Sequence, residues 1–423
     1  MQIEEVKSCR ICGNNKLVSV LDLGMQAIAS RFPKADEQDP MEAPLVLVKC
    51  DDSVDKNNCG LVQLKHRVAS EELYQHDYGY RSGLNNTMTT HLQNLVKDVE
   101  NRISLKEGDV VLDIGSNDAT LLKSYATNGI QKIGIDPTGA QFKSFYTSDI
   151  KLIPDYFNFK NYQLASDKKA KAITSIAMFY DLPAPVEFVR DIKKSLDENG
   201  IWVFEQSYMP FMLDTKSFDT VCHEHLEYYC LKQIKWMFDR EGMKIVDVEF
   251  NSCNGGSFRV TASHAHSTFV PNYAKINSIL KDEQEKKYDT LKPYIEFEKS
   301  IQDTKEKLLS FLTTEKSKGK SIYIYGASTK GNTLLQHFNI DKSIVTAAAE
   351  RNTEKYGRRT PKTNIPIISE AEARAAKPDY FVVLPWHFKE EFLQREKDYL
   401  NSGGSFVFPL PKFEVVTAET RHG

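Results

Sequence analysis

From Val110 to Leu122 the chain reads VVLDIGSNDATLL: an apolar run closes on Asp113, turns through Gly115 and resumes at helical spacing with Ala119, Leu121 and Leu122. This pattern predicts a buried strand, a tight loop and a helix. Further apolar runs follow in KIGID, which ends at Asp136, in KLIPDYF, and in AITSIAMFYDLPAP, where Ile173 to Met178 form a strand that two prolines terminate. VEFVRDIKKSLDENG has the spacing of an amphipathic helix, and IWVFEQSYMP is the next strand, with Glu205 near its end. After WMFDREGMKIVDVEF, Gly255-Gly256-Ser257 separates two strand-like runs as a hairpin or bulge. Strands and helices alternate throughout, so an α/β fold with a mainly parallel sheet covered on both faces is expected.

The alternation restarts at SIYIYGASTKGNTLLQHF, with a strand, Gly326, a loop and a helix at Thr333. DYFVVLPWHF and GGSFVFPLP continue a second, smaller parallel sheet. Between the two units, residues 271–320 are charged and helical and read as a solvated connector. With 423 residues the chain is too long for one core. The expected divisions are residues 1–68, 69–268, 269–319 and 320–423.

Composition narrows the function. A net charge of −3 does not suggest a nucleic-acid partner. No apolar run is long enough to cross a bilayer, and MQIEEVKSC lacks a secretory core, so a cytoplasmic protein without a membrane partner is expected. Four of the seven cysteines lie early, at Cys9, Cys12, Cys50 and Cys59. Two thiols two residues apart, followed by Gly13, outline a zinc knuckle, and a second, wider pair closes a tetrahedral site with no position left for water. Structural zinc would stabilise a segment too short and polar to build its own core.

Chemistry concentrates in three places. In the first loop, Asn117 and Asp118 stand at the start of the new helix, Gly115 permits close approach of a ligand, and Asp136 falls where nucleotide-binding sheets place the acid that holds ribose hydroxyls. The dinucleotide pattern G-x-G-x-x-G is absent. Tyr78, Tyr80 and Ser82 precede this fold as packing or as a lid, and Met178 and Tyr180 mark a strand exit onto the ligand crevice. In DTVCHEHLEYYCL, His223 and His225 miss the H-E-x-x-H spacing of a catalytic metal site. A histidine flanked by Glu224, Tyr228 and Tyr229 suits general acid/base work, with an ordinary surface helix start as the competing reading. Finally, the Gly326 loop forms an anion-friendly helix N-terminus but no Walker A motif, and Arg259 offers a cation to an anionic ligand.

Taken in order, CRICG with Cys50 and Cys59, VLDIGSNDATLL, FEQSYMP, CHEHLEYY, NGGSFRV, YGASTKGNTLL and LPWHF resemble the S-adenosylmethionine (SAM)-dependent sugar C-methyltransferases. The resemblance implies a small N-terminal zinc-binding domain, a central Rossmann-like SAM domain and a C-terminal Rossmann-like domain that helps hold a nucleotide-linked keto-sugar. It places SAM on Asp113, Gly115, Asn117, Asp118, Asp136 and, near the adenine, Asp155; Tyr78 and Ser82, as a lid, and Met178, at the strand exit, are expected to meet the cofactor as well. It makes His225 the base, with Glu224 and Tyr228 beside it. The substrate would meet Tyr180, Asn254, Gly256, Arg259, Gly326, Lys330, Gly331, Thr333, Glu350 and Trp386. Ala119 departs from the family's usual glycine, and Cys222 and Glu350 depart at positions that bear on which sugar is used. An O- or N-methyltransferase acting on a related nucleotide-sugar, or a non-catalytic SAM- and nucleotide-binding scaffold, remain the alternatives, and a monomer or homodimer is expected.

Overall fold

The computed structural model describes residues 3–55, 57–74, 81–84 and 86–420, apart from the side chains of Glu71, Tyr74 and Asn254. Tyr78 lies outside the described residues. Seven strands form the central sheet, in the order Met243–Asn251, Ser257–His264, Leu196–Ser207, Ala170–Ile176, Val110–Ile114, Gln131–Ile135 and Ile150–Ile153. Only Ser257–His264 runs antiparallel to its neighbours. The remaining pairs are parallel. From Val110–Ile114 the chain first winds outward to one edge and then returns to build the other. The strand order therefore reverses between Val110–Ile114 and Ala170–Ile176, which opens a crevice at their carboxyl ends.

The strand Leu196–Ser207 shows how both faces are covered. Ile201 and Val203 point toward the helix Asn86–Arg102 and its buried Leu95 and Val99. Trp202 and Phe204 point the other way, into a core shared with Val189 and Ile192 of Pro185–Ser195 and with Ile234 and Phe238 of Leu231–Glu241. A strand buried on both sides reads as an unbroken apolar run, as this one does.

The C-terminal sheet has the order Ile367–Ser369, Ala348–Glu350, Ile322–Tyr325, Tyr380–Val383, Ser405–Phe408 and Glu414–Val416. All its pairs are parallel except the last. Its first helix starts earlier than the apolar pattern indicates: Thr329–Phe338 is capped by Ser328, whose Oγ accepts the Gly331 N–H at 3.0 Å. Side-chain capping decided the boundary, ahead of Thr333.

The small N-terminal sheet is completed from elsewhere. Leu17–Ala27, Glu42–Cys50 and Val62–Leu64 are antiparallel, and the fourth strand is Glu227–Tyr228, from the middle of the chain. The connector is less solvated than its charge implies. In the helix Lys292–Ser317, Tyr294, Phe297, Ile301, Thr304, Leu308 and Leu312 form a buried stripe. That stripe belongs to one core with Leu47 and Leu64 of the N-terminal sheet and Ile324 and Phe381 of the C-terminal one. Spacings of three and four put these residues on one helix face, while the charges occupy the other.

Candidate active site

One cavity of about 1270 Å³ runs from the crevice of the central sheet to the first loop of the C-terminal sheet. At the sheet end it is lined by Asp113, Gly115, Asn117, Asp136, Met178 and Ser82, six of the residues expected to meet SAM. Gly115 has φ +73°, and a Cβ there would approach Met178 Cγ to 3.3 Å, so a side chain would be strained and would narrow the crevice. The loop is braced internally. Asp136 accepts the Asn117 N–H at 2.7 Å on one oxygen and the Thr138 N–H and hydroxyl at 2.6 and 2.7 Å on the other. A carboxylate has about four acceptor positions, so Asp136 keeps capacity for a ligand. Burial pushes the Asp113 carboxyl up to about 7, against the opposing hydrogen bond from Thr174.

Asp118 and Asp155 are placed differently. Asp118 is buried and tied to the chain, accepting the Gly83 N–H at 3.0 Å and the Thr120 hydroxyl at 2.5 Å. It holds the Ser82–Leu84 turn against the loop and does not line the cavity. Asp155 is exposed and accepts the Tyr156 N–H; Tyr156, Phe157 and Asn158 supply the lining there. Sequence patterning could not separate Asp155 from its neighbours, because the strand Ile150–Ile153 ends before it.

The middle of the cavity is lined by Tyr180, Cys222, Glu224, His225 and His387. His225 Nδ1 lies 2.7 Å from the Thr220 carbonyl oxygen, which can only accept, so Nδ1 carries a proton. Burial pushes the His225 pKa down to about 4, the Glu224 charge opposing and the Lys330 charge assisting. The ring is therefore neutral at pH 7, with a lone pair on Nε2, and the Tyr180 ring packs edge-on against it at 4.4 Å between centroids. Both Glu224 oxygens are buried without a hydrogen-bond partner among the described residues. His387 is also held neutral by burial, its pKa near 3, but its buried Nδ1 has no partner among the described residues to select a tautomer. Tyr228 is buried in the strand pairing with Val62 and does not line the cavity.

At the far end, Lys330 lines the cavity together with Ser328, Thr329, Asn352, Lys355 and Arg358. Arg31 and Arg67 join from the N-terminal unit. The sequence reading missed Arg31, Arg67, Lys355 and Arg358, because their convergence depends on how separate segments dock. Arg358 donates to the Phe32 carbonyl at 2.9 Å, and the Lys355 ammonium sits 4.2 Å over the Phe32 ring. Charge is segregated along the cavity. Among the described residues, all five lysine and arginine cations come from the N- and C-terminal units, whereas Asp113, Asp136, Asp181, Glu187, Asp191, Glu205 and Glu224 come from the central one, with Glu354 the one acid beside the cations.

The other expected substrate residues support this wall from behind. Arg259 is committed to Glu205 at 2.9 Å and Asp98 at 3.1 Å. Glu205 also meets His91 at 2.5 Å, and contact with Cys253 and Glu205 pushes the His91 pKa up to about 9. Gly326 has φ +87°, and a Cβ there would fall 2.5 Å from Pro385; one at Gly331 would collide with Leu384. Thr333 donates to the Val221 carbonyl at 3.1 Å, and Trp386 Nε1 donates to Asp219 at 3.0 Å. Glu350 accepts the N–H groups of Ala327, Arg351 and Asn352. Gly256 faces Phe211. Of the expected substrate residues in this group, Arg259, Gly326, Gly331, Thr333, Trp386, Glu350 and Gly256, none lines the cavity. Asn254 is described only through its backbone, in the Cys253–Gly255 turn.

The four early cysteines do converge. Their Sγ atoms lie within 4.8 Å of one another, with Cys9–Cys59 at 3.3 Å and Cys12–Cys50 at 3.5 Å. Tetrahedral zinc with Zn–S near ~2.3 Å sets neighbouring sulfurs roughly 3.8 Å apart, so the donor set fits a structural ion held by four thiolates.

A central sheet with one antiparallel strand, an acidic crevice at its switch point and a four-cysteine site define a SAM-dependent methyltransferase with a structural zinc ion. Residues 9–74 match a zinc-binding domain family, 88–248 a methyltransferase domain and 252–411 the C-methyltransferase C-terminal domain. The C-methyltransferase NovU of Streptomyces niveus is 26% identical over 422 residues, covering 99% of each chain. The chain is thus similar, domain by domain and over its full length, to SAM-dependent C-methyltransferases. Among solved structures, the plantazolicin methyltransferase BamL with SAH is similar at 11% identity and a TM-score of 0.37, over 46% of this chain and 94% of that one. A SAM-dependent methyltransferase from Aquifex aeolicus is similar at 14% identity and a TM-score of 0.30, over 41% and 97%.

Proposed function

We propose that the protein methylates a carbon of a nucleotide-linked keto-sugar, with His225 as the base. The observation that carries this reading is the single cavity with an acidic end at the SAM loop, a neutral imidazole in its middle and five cations at its far end. SAM, when bound, supplies an electrophilic methyl group on a cationic sulfonium, which suits the acidic end. A nucleoside diphosphate is anionic and suits Lys330, Lys355, Arg358, Arg31 and Arg67. A sugar linking the two would lie against His225 and Glu224.

Carbon becomes a nucleophile when a neighbouring keto group acidifies its C–H and a base removes the proton. His225 Nε2 has the lone pair for that step, and Thr220 holds the ring in the required tautomer. Once protonated, the imidazolium gains the facing Glu224 charge as a counterion, which lowers the cost of the transfer in a buried site. Asp136, Asn117 and Ser82 would position the cofactor, and the cations would fix the other end of the acceptor, so both reactants are held in register.

Mass spectrometry after incubation with SAM and a panel of nucleotide-linked 4-keto-sugars in deuterated water tests this reading. One added methyl on the carbon beside the ketone, with deuterium washing into that position of recovered unreacted substrate, is the expected result. A methyl located on oxygen or nitrogen by fragmentation, with no deuterium washed into recovered substrate, would assign the acceptor there instead.

A further inference from the structure

Among the contacts that join the zinc knuckle to the segment bearing His225, one buried side chain of the knuckle reaches both. Arg10 sits between the ligands Cys9 and Cys12. Its backbone N–H donates to Gln63 at 2.9 Å, and its guanidinium donates to the Leu64 carbonyl at 2.9 Å and the Leu226 carbonyl at 3.5 Å. Its Nε lies 3.5 Å from the Glu227 carboxyl, and both side chains are buried. Leu64 N–H donates to the same Leu226 carbonyl at 2.9 Å, and Glu227–Tyr228 pairs with Val62 and Gln63. On the other side, Leu226 N–H donates to the Tyr180 carbonyl at 2.8 Å, and the Tyr180 ring abuts His225. The end of the segment is tied as well: Gln233 donates to the carbonyls of Cys59 and Gly60 at 3.1 and 3.3 Å.

The residue directly after His225 is thus pinned by its carbonyl to the zinc unit and by its N–H to the SAM-binding unit. We infer that Arg10 is a positioning residue for His225, so that the zinc knuckle holds the catalytic segment as well as its own fold. The inference rests on His225 being the base. It also accounts for a zinc unit that shares a core with the central domain: Cys9, Ile11, Cys59 and Leu61 are buried with Tyr229 and Leu231. A buried arginine that satisfies two carbonyls from different segments fixes their separation, and a displacement of about 1 Å at a catalytic group can cost roughly 100-fold in rate.

The test uses the zinc-loaded, full-length enzyme carrying Arg10→Met or Arg10→Lys. Zinc content, SAM affinity, kcat and KM are measured, together with an NMR titration of the His225 imidazole, which faces Glu224, Lys330 and Tyr180. In Arg10→Met we expect zinc and SAM binding to be retained and kcat to fall at least ~10-fold with little change in KM. The His225 titration should move up from about 4 toward the ordinary value near 6.5 as water enters. Arg10→Lys should recover part of both. Unchanged kcat and an unchanged titration with zinc retained would overturn the inference. Should Arg10→Met lose zinc, Glu227→Gln, on the opposite strand, decides: a smaller kcat loss in the same direction supports the inference, and wild-type behaviour overturns it. Normal turnover in His225→Ala would instead remove the base assignment itself, a result distinct from any of these.

Discussion

In the proposed role of His225 as base, one backbone carbonyl fixes which ring nitrogen is free to act. The Thr220 oxygen fixes the proton on Nδ1, and burial keeps the ring neutral. With its folded pKa below the unfolded value, His225 contributes stability that is present above about 6.5 and lost as pH falls toward about 4. We therefore expect turnover to lose no activity to His225 protonation between about pH 8 and 6, and a pH–rate profile checks this. A protonation limb near 6.5 would argue for an imidazole exposed to water. His225→Ala should fold and bind SAM yet lose most turnover. Asp113 works in the opposite sense. Its folded pKa is raised to about 7, so its burial costs stability progressively as pH rises from about 4 through 7. Asp113→Asn should accordingly stabilise the ligand-free protein at about pH 8 by roughly 2–4 kcal/mol and flatten that part of the stability curve, as measured by denaturant unfolding. The Asp113 position was legible in sequence as the end of an apolar run; its perturbed ionisation was not, because it depends on complete burial and on Thr174 and Asp136 from elsewhere in the chain.

Among elements, the segment Asp219–Leu231 ties the central unit to both of the others. It anchors to the C-terminal unit through Asp219–Trp386 and Val221–Thr333, and to the N-terminal sheet through Glu227–Tyr228. Its crowding of ionisable groups was plain in the sequence, yet only some of those groups reach the cavity. Glu227 and Tyr228 alternate into a strand, and a two-residue strand leaves no periodic signature to read. The Gly326 loop was legible as a strand-to-helix turn; its glycines Gly326 and Gly331 pack against Pro385 and Leu384 and do not line the cavity. Gly326→Ala combines positive φ with a steric clash and should destabilise the protein by about 2–4 kcal/mol, measurable by thermal or denaturant unfolding. Expected effects on catalysis would follow from displaced Lys330.

Across the whole molecule, the three units are fused through shared cores and one cavity. The small sheet borrows a strand, the long helix Lys292–Ser317 packs against both the N- and C-terminal sheets, and the segment Ala27–Pro33 docks on the C-terminal unit through Gln336, Asn332 and Arg359. Removing zinc should therefore do more than unfold the first sixty or so residues. We expect about one zinc per chain by metal analysis, and chelation should abolish turnover while leaving SAM binding weakened but detectable by calorimetry. The segregation of charge gives a separate expectation. Lys330→Ala or Arg358→Ala should raise KM for the nucleotide-sugar by roughly 10-fold or more and leave SAM affinity near wild type, with the wild-type KM rising as salt is added.

Apolar periodicity alone determined the alternating strands and helices, the switch from loop to helix after Asp113, and the restart at Ser321, because these follow from local spacing. Cysteine spacing likewise pointed to a metal site, since the ligands' chemistry is carried by the residues themselves. Tertiary structure decided which polar residues face the cavity. Arg31, Arg67, Lys355 and Arg358 come together only when the N- and C-terminal units dock, while Arg259, Thr333 and Trp386 are drawn away to satisfy buried partners. A buried charge or donor must be paired wherever its neighbours happen to lie, and those neighbours are set by the fold rather than by distance along the chain.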